Sequence, residues 1–406
     1  MAEQRAMGDS PHVSAIHGLL LAMVPALVVL TVVAPLPIVP NMAADFVHRD
    51  PTGSLVSFAL TAPILAIAVI SVLLGFVGDR VSRRAMLIGG SAVFAVVAPA
   101  PLITEGLFAI IATRLVTGAA LGCMLTAAVG LTGDYFEGKR RAFWLSMQGT
   151  FPAATAIGAS ALAGFLGEMG WRTPFGMLLI GFVFVLVLVS IRAPLITPEE
   201  PISEPGRVPA GTSSDLWRSL MIVFVMAIAL SLIVFPAAYE FGYLLAERDI
   251  NSVVLTGAMT SVLGTGAVAG AYGLNLLSRV SPLGRLSFAL AGGALGYAIV
   301  GLAGQFSVLA VGAAIIGFGQ GLVVPALSLW LLDKAGPSGR GKVIGPFQAI
   351  LYFAQFAAPL VARQASLLLG SSTAFFQTYG SLAAALGAAL ILFLAVSRRS
   401  AVPVRD

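Results

Sequence analysis

Apolar residues in this chain come in long unbroken runs, with neither strict alternation nor a one-sided helical stripe. A helix that is apolar all round belongs inside a large protein or in lipid. About 20 such residues suffice to cross about 30 Å of hydrocarbon. Twelve runs meet that length: His17–Pro40, Leu55–Phe76, Met86–Ile103, Leu107–Leu131, Phe143–Phe165 and Pro174–Arg192, then Arg218–Leu244, Val253–Leu277, Leu286–Ala303, Val308–Leu332, Val343–Ala362 and Ala374–Val396. They are too long, and too continuous, for the strands of a membrane barrel. The expected fold class is an all-α membrane protein of twelve transmembrane helices in two pseudo-symmetric six-helix bundles.

The polar stretches organise the rest. Residues 193–217 hold Pro194, Pro198, Pro201, Pro205 and Pro209 among Glu199, Glu200 and Glu204, which predicts an extended linker. The expected division is a tail over 1–16, a first bundle over 17–192, this linker, a second bundle over 218–396 and a tail over 397–406. The first apolar run has the flanks of a permanent span and no small-residue cleavage site, so it is not read as a signal peptide.

The two halves repeat. A shift of 199 positions lays Gly118 on Gly317, Gly122 on Gly321, Asp134 on Asp333, Arg141 on Arg340, and Arg80-Val81-Ser82 on Arg279-Val280-Ser281. One offset shared by two separate junctions indicates parallel six-helix repeats, a known transporter construction.

Composition narrows the function. Of 406 residues 58% are hydrophobic and only 10% charged, which excludes a soluble enzyme, a nucleic-acid binder and a disordered chain. Cys123 stands alone, so no intramolecular disulfide can form. The charge is sorted along the chain. With the amino terminus inside, 18 of the 23 Lys and Arg fall in inside segments, only Arg49, Arg172, Arg248 and Arg363 fall outside, and Arg114 lies within a span. That bias predicts both termini in the cytoplasm of a cell whose inner membrane the chain crosses. The net charge of +5 then records topology and contact with anionic lipids. His12, His17 and His48 have no ligand spacing, and no phosphate-binding loop occurs, so no metal, no cofactor and no ATP are expected.

The second–third junction reads Gly75-Phe-Val-Gly78-Asp79-Arg80-Val-Ser82-Arg83-Arg84. Glycine permits close helix approach and a tight loop. This string resembles the Gly-x-x-x-Asp-Arg-x-x-Arg-Arg signature of the major facilitator superfamily, with Ser82 where that family usually has Gly. Arg114-x-x-x-Gly118-x-x-x-Gly122 is similar to the family's second motif, and Gly133-Asp134 with Arg140-Arg141, Gly170-Trp171-Arg172 and Pro37-x-x-Pro40 also fit. The likeness is greatest to the twelve-span drug- and sugar-efflux branch, although the Gly-Pro-rich signature of proton-driven exporters in span five is absent. The resemblance implies alternating access by two rocking bundles, with spans one, four, seven and ten lining a central cavity. It implies a conformational gate of Gly75, Asp79, Arg80, Arg83, Arg84 and Asp134. Asp79 would meet the amino end of span eleven near Lys342–Gly345, and Arg83 would reach Asp134. The second half keeps Arg279 but has Ser278 at the Asp position, so its gate is expected to be weaker.

Ionisable groups inside a span face a cavity or a partner because lipid penalises them. Arg114 either binds backbone carbonyls, snorkels to the headgroups, or faces the cavity. Glu240 lies near the outer end of span seven, unless Pro236 ends that span and leaves it at the mouth. Facing each other from opposite halves, Glu240 would carry the coupling proton and Arg114 would tune it or bind an anionic solute. Tyr239, Gln320, Gln348 and Gln355 complete the expected cavity set. Together these predict a secondary active transporter that exports a small amphipathic solute, an anionic one suiting Arg114, against protons. The alternative is a proton-coupled importer of an organic acid or metallophore. The expected partners are the solute, protons and membrane lipids, with no nucleic acid, and the expected state is a monomer. No intramembrane His or acid pair supports an enzyme.

Overall fold

Proline and glycine decide where these apolar helices break and where they touch. In the computed structural model, residues 14–77, 82–190, 214–274, 276–277 and 279–400 are described. The first half comprises α1 (Ala15–Val33), α2 (Val39–Asp45), α3 (Ser54–Val77), α4 (Arg83–Val97), α5 (Leu107–Tyr135), α6 (Gly138–Gly167) and α7 (Ile180–Ser190). The second comprises α8 (Ser214–Val234), α9 (Ala237–Glu247), α10 (Val253–Gly273), α11 (Pro282–Leu302), α12 (Phe306–Leu369) and α13 (Ser372–Ser400).

Span one is broken after Val33 and resumes through a short 3-10 turn, Leu36–Ile38, into α2. Span seven breaks at Phe235–Pro236 and resumes as α9. Pro236 therefore interrupts the span without ending it, and Glu240 lies on the resumed helix. Proline lacks the N–H that continues the ladder and its ring collides with the preceding turn.

Among the described residues eleven helices are long and apolar enough to cross a membrane. The remaining expected span is the second arm of α12. A straight helix of its 64 residues would run about 96 Å. Yet Leu309, near its start, and Ala362, near its end, share one buried cluster. Trp330 and Val343 share another. The chain doubles back between them, so span ten is the first arm and span eleven the second. The second arm carries Gln348, Gln355, Arg363 and Gln364, which lower its apolarity.

The internal repeat is a packing repeat. Gly118 on α5 lies against the backbone of Pro63 on α3, and Gly317 on α12 lies against the backbone of Leu263 on α10. A side chain at either place would collide with the facing backbone, so span four meets span two and span ten meets span eight through the same glycine device. Ser82, the departure from the family pattern, accepts from the Ala85 amide at 3.1 Å and caps α4. Its repeat partner Ser281 accepts from the Gly284 amide at 3.2 Å and caps α11. Serine satisfies an orphan helix amide that glycine could not.

Large apolar side chains such as Phe108, Phe182, Val183, Leu186, Leu368 and Leu392 are exposed on the outside of the bundles. In lipid that surface carries no hydrophobic penalty.

Candidate transport pathway

The halves meet on one side of the molecule. Arg83, Asp134, Lys139 and Lys334 mark the basic face. Among the described residues every hydrogen bond between halves lies toward the opposite face. Arg363 Nε donates to the Thr52 carbonyl at 2.9 Å and Gln364 Nε2 to Ser54 Oγ at 2.7 Å. Glu168 Oε1 accepts from Ser252 Oγ at 3.1 Å and from the Val254 amide at 3.2 Å. Ser261 Oγ donates to the Ile157 carbonyl at 2.9 Å. Gly164 and Gly257 let α6 and α10 approach backbone to backbone beneath these bonds. A carboxylate at the amino end of α10 is also favoured by the helix dipole. Beside this closure lies a cavity of about 690 Å³ whose walls include Asp45, Trp171, Asn251 and Thr256. Trp171 Nε1 donates to Asp45 Oδ2 at 3.1 Å.

Arg114 sits where span one breaks. The carbonyl of Thr31 would accept from the amide four residues on, but that residue is Pro35, which has none. Arg114 Nη2 donates to this carbonyl at 2.7 Å and to the Leu60 carbonyl, in the turn before Pro63, at 3.4 Å. The guanidinium lies 5.6 Å from the centre of the Phe175 ring. The side chain is 0% exposed. Its Nε and Nη1 have no hydrogen-bond partner among the described residues. Tyr239, on the other half, is close enough to act electrostatically on it. Arg114 is thus a backbone binder, as one reading of the sequence held, and it still has donors to spare.

Glu240 is 1% exposed. Its Oε2 accepts from Ser366 Oγ at 2.7 Å and from Ser372 Oγ at 3.1 Å. Arg363 and Glu247 act on it electrostatically, and Arg114 is not among the groups that do. Aromatic rings wall the site, Phe241 stacking on Phe376 at 5.7 Å and Tyr297 beside Phe376 at 5.6 Å. The expected pairing of Arg114 with Glu240 across the cavity is therefore not what these contacts form. The residue of α9 turned toward Arg114 is Tyr239, and Glu240 turns into its own half between α9, α12 and α13.

The other polar residues divide. Gln320 is half-buried and its Oε1 is buried with no partner among the described residues. Gln348 is exposed and Gln355 half-buried. Among the residues expected to form a gate, Arg83 Nη1 donates to both oxygens of Asp134, at 2.6 and 2.8 Å. Gly75 lies in the last turn of α3, and Arg84 in the first turn of α4. Asp79, Arg80, Asn275 and Ser278 lie outside the described residues, as do the two tails over 1–13 and 401–406 and the linker over 191–213. The side chains of Lys342 and Ile344 are likewise not described.

Sequence reasoning missed Ser366 and Ser372 as partners of Glu240, and Glu168, Arg363 and Gln364 as cross-half contacts. Arg363 had one visible signal, being one of only four bases on the sparsely charged side.

The pattern of the Major Facilitator Superfamily matches residues 20–359. A class G tetracycline resistance protein of Vibrio anguillarum is 28% identical over 163 residues, 39% of this chain and 40% of that protein. A probable actinorhodin transporter of Streptomyces coelicolor is 28% identical over 207 residues, 48% of this chain and 33% of that protein. The chain thus matches less than half the length of either relative. A D-xylose–proton symporter has the same fold, with a TM-score of 0.72 at 15% identity over 92% of this chain and 96% of that one. A human organic anion transporter is also similar, with a TM-score of 0.64 at 18% identity over 92% and 97% of the two chains. With eleven helices long and apolar enough to cross a membrane among the described residues, and the second arm of α12 beside them, the chain is an integral membrane protein and it belongs to the Major Facilitator Superfamily.

Proposed function

We propose that this protein exports a small amphipathic organic anion across the cell membrane by alternating access, coupled to proton entry. The observation that carries the reading is Arg114. A cation wholly removed from water costs several kcal/mol unless its donors are met. Here the Thr31 and Leu60 carbonyls use one nitrogen, and Nε and Nη1 remain. A carboxylate or sulfonate brought against either would form a charge-assisted bond. Phe175 and Tyr239 supply the apolar and aromatic walls that an amphipathic solute needs.

Glu240 is the proton carrier in this reading. Its two serine partners suit the task, because a hydroxyl donates to a carboxylate and, once rotated, accepts from a carboxylic acid. Both protonation states can therefore be hydrogen-bonded without rebuilding the site. Ser366 lies on the arm of α12 that also carries Arg363 and Gln364, so a change at Glu240 is mechanically close to the cross-half closure. Export is supported by the likeness to a tetracycline resistance protein and a probable actinorhodin transporter. Cytoplasmic termini are supported by the distribution of Lys and Arg.

The test is flux in proteoliposomes under an imposed pH gradient. The wild type is expected to concentrate an organic anion against its gradient. Glu240→Gln is expected to exchange solute across the bilayer but to ignore the pH gradient. A wild type that moves anions equally well with the pH gradient collapsed overturns proton coupling.

A further inference from the structure

His17 is a buried imidazole that the transport pathway does not use. It is 8% exposed and sits in the first turn of α1 at the basic face. The Ser14 amide donates to its Nδ1 at 3.2 Å. A ring nitrogen that accepts from an amide carries no proton, so the proton of the ring is on Nε2. That Nε2–H is buried and has no partner among the described residues. It is a donor waiting for an acceptor.

The acceptor's surroundings are defined. His17 lines a narrow slot with Arg84, Tyr135, Ile88 and Leu188, holding about 20 Å³ of space. Its polar end therefore has a donor from His17, the guanidinium of Arg84, the Tyr135 phenol and the amino end of the 15-residue helix α4. Arg84 acts electrostatically on Tyr135, so the two heads are close. Arg83, the neighbouring base, is already engaged with Asp134, which leaves Arg84 as the cation of the slot. Asp134 also acts on Tyr135 but is neutralised by Arg83, and the other features favour negative charge. The remaining walls are aliphatic. Leu20, Leu21, Leu87 and Leu131 form the floor, and half-buried Ile88 and Leu188 form the rim. The slot thus runs from a cluster of donors at the helix ends to an apolar trough one turn deeper.

We propose that this slot is a binding site for an anionic phospholipid of the leaflet at the basic face. One phosphate oxygen enters to accept from His17 Nε2–H, the remainder of the phosphodiester pairs with Arg84 at the rim, and an acyl chain lies along Ile88 and Leu188. The small volume fits this division, because it admits about one oxygen-sized group and leaves the headgroup outside. The occupant would tie the ends of spans one, three, four and six together, next to the Arg83–Asp134 pair.

The test is thermal unfolding and native mass spectrometry of the purified full chain with phosphatidylglycerol, phosphatidylcholine or inorganic phosphate. Phosphatidylglycerol is expected to be retained by the wild type and to raise its unfolding midpoint above that in phosphatidylcholine. Retention is expected to fall about tenfold in His17→Leu, the loss of one charge-assisted bond. His17→Gln, which keeps a donor, is expected to recover part of it. If His17→Leu does not fold, Arg84→Gln on the rim carries the same comparison, with the same expected loss. Equal retention of phosphatidylglycerol by the wild type and whichever of these variants folds overturns the proposal and leaves the slot to a water molecule. An equal rise with inorganic phosphate alone also overturns it, since the occupant is then a free anion.

Discussion

Span one and span seven break in the same way and are mended differently. In the first half Pro35 frees the Thr31 carbonyl, and Arg114 from span four takes it. In the second half the last turn of α8 ends before Pro236, and the hydroxyl of Tyr297 from span nine donates to the Ile233 carbonyl at 2.5 Å. Both menders are 0% exposed. A phenol has one proton to give, and this bond uses it. A guanidinium has five, in a fixed fork. Mending one carbonyl with an arginine therefore leaves donors over, and it does so in a place where an unpaired donor is costly. The neutral repair is structural and complete. The charged repair is incomplete by construction, and that remainder is the reason to place the solute at Arg114.

The comparison can be broken most directly by exchanging the charged repair for nothing. Arg114→Ala is expected to cut uptake of an anionic solute about 100-fold per folded molecule, the loss of a charge-assisted contact to a buried cation. Arg114→Lys, which keeps the charge but not the fork, should recover only part. Radiolabelled solute flux in proteoliposomes reads both. Tyr297→Phe attacks the other repair. It strands one buried carbonyl and should lower the unfolding free energy by about 1–3 kcal/mol, while transport per folded molecule stays near the wild-type level. A Tyr297→Phe protein that is stable but inactive would erase the distinction between the two repairs.

Pro35→Ala sharpens the contrast with a smaller effect. The new amide would compete with Arg114 for the Thr31 carbonyl and straighten span one. Anion flux is expected to fall about tenfold, as one hydrogen bond to a charged group is displaced, with thermal stability unchanged or raised. The smallest effect belongs to the face-closing contacts. Arg363→Gln loses the bond to the Thr52 carbonyl and the cation lying 4.0 Å from the Tyr243 ring centre. One exposed contact of this kind is worth about 1 kcal/mol, so the closed population should shift about fivefold. Cysteine-pair cross-linking or double electron resonance between α3 and the second arm of α12 measures that shift.

Much of this arrangement is legible in the chain, for a physical reason. Hydropathy is a local property, and lipid demands it over a whole span, so the spans and the linker can be read without any tertiary contact. The offset of 199 carries over directly, since Gly118 and Gly317 serve the same close approach. The Arg83–Asp134 pair follows from a motif at two neighbouring junctions. What stays hidden depends on contacts distant in sequence. Glu240 finds Ser366 and Ser372 more than a hundred residues away, and serines in apolar spans have no periodic signature. Tyr239 and Glu240 are adjacent, so they point to different sides of one helix, and no hydropathy pattern says which faces Arg114. The reversal inside α12, by contrast, shows in the sequence as the break between the runs Val308–Leu332 and Val343–Ala362.

In the proposed reading the spare donors of Arg114 hold the solute's negative group. A binding screen of purified protein against matched anionic, neutral and cationic aromatic compounds, run on the wild type and on Arg114→Gln, tests it most directly. The wild type is expected to prefer the anionic series, and Arg114→Gln to lose that preference about tenfold or more while still binding the neutral compounds. Anions bound equally tightly by both proteins would contradict it.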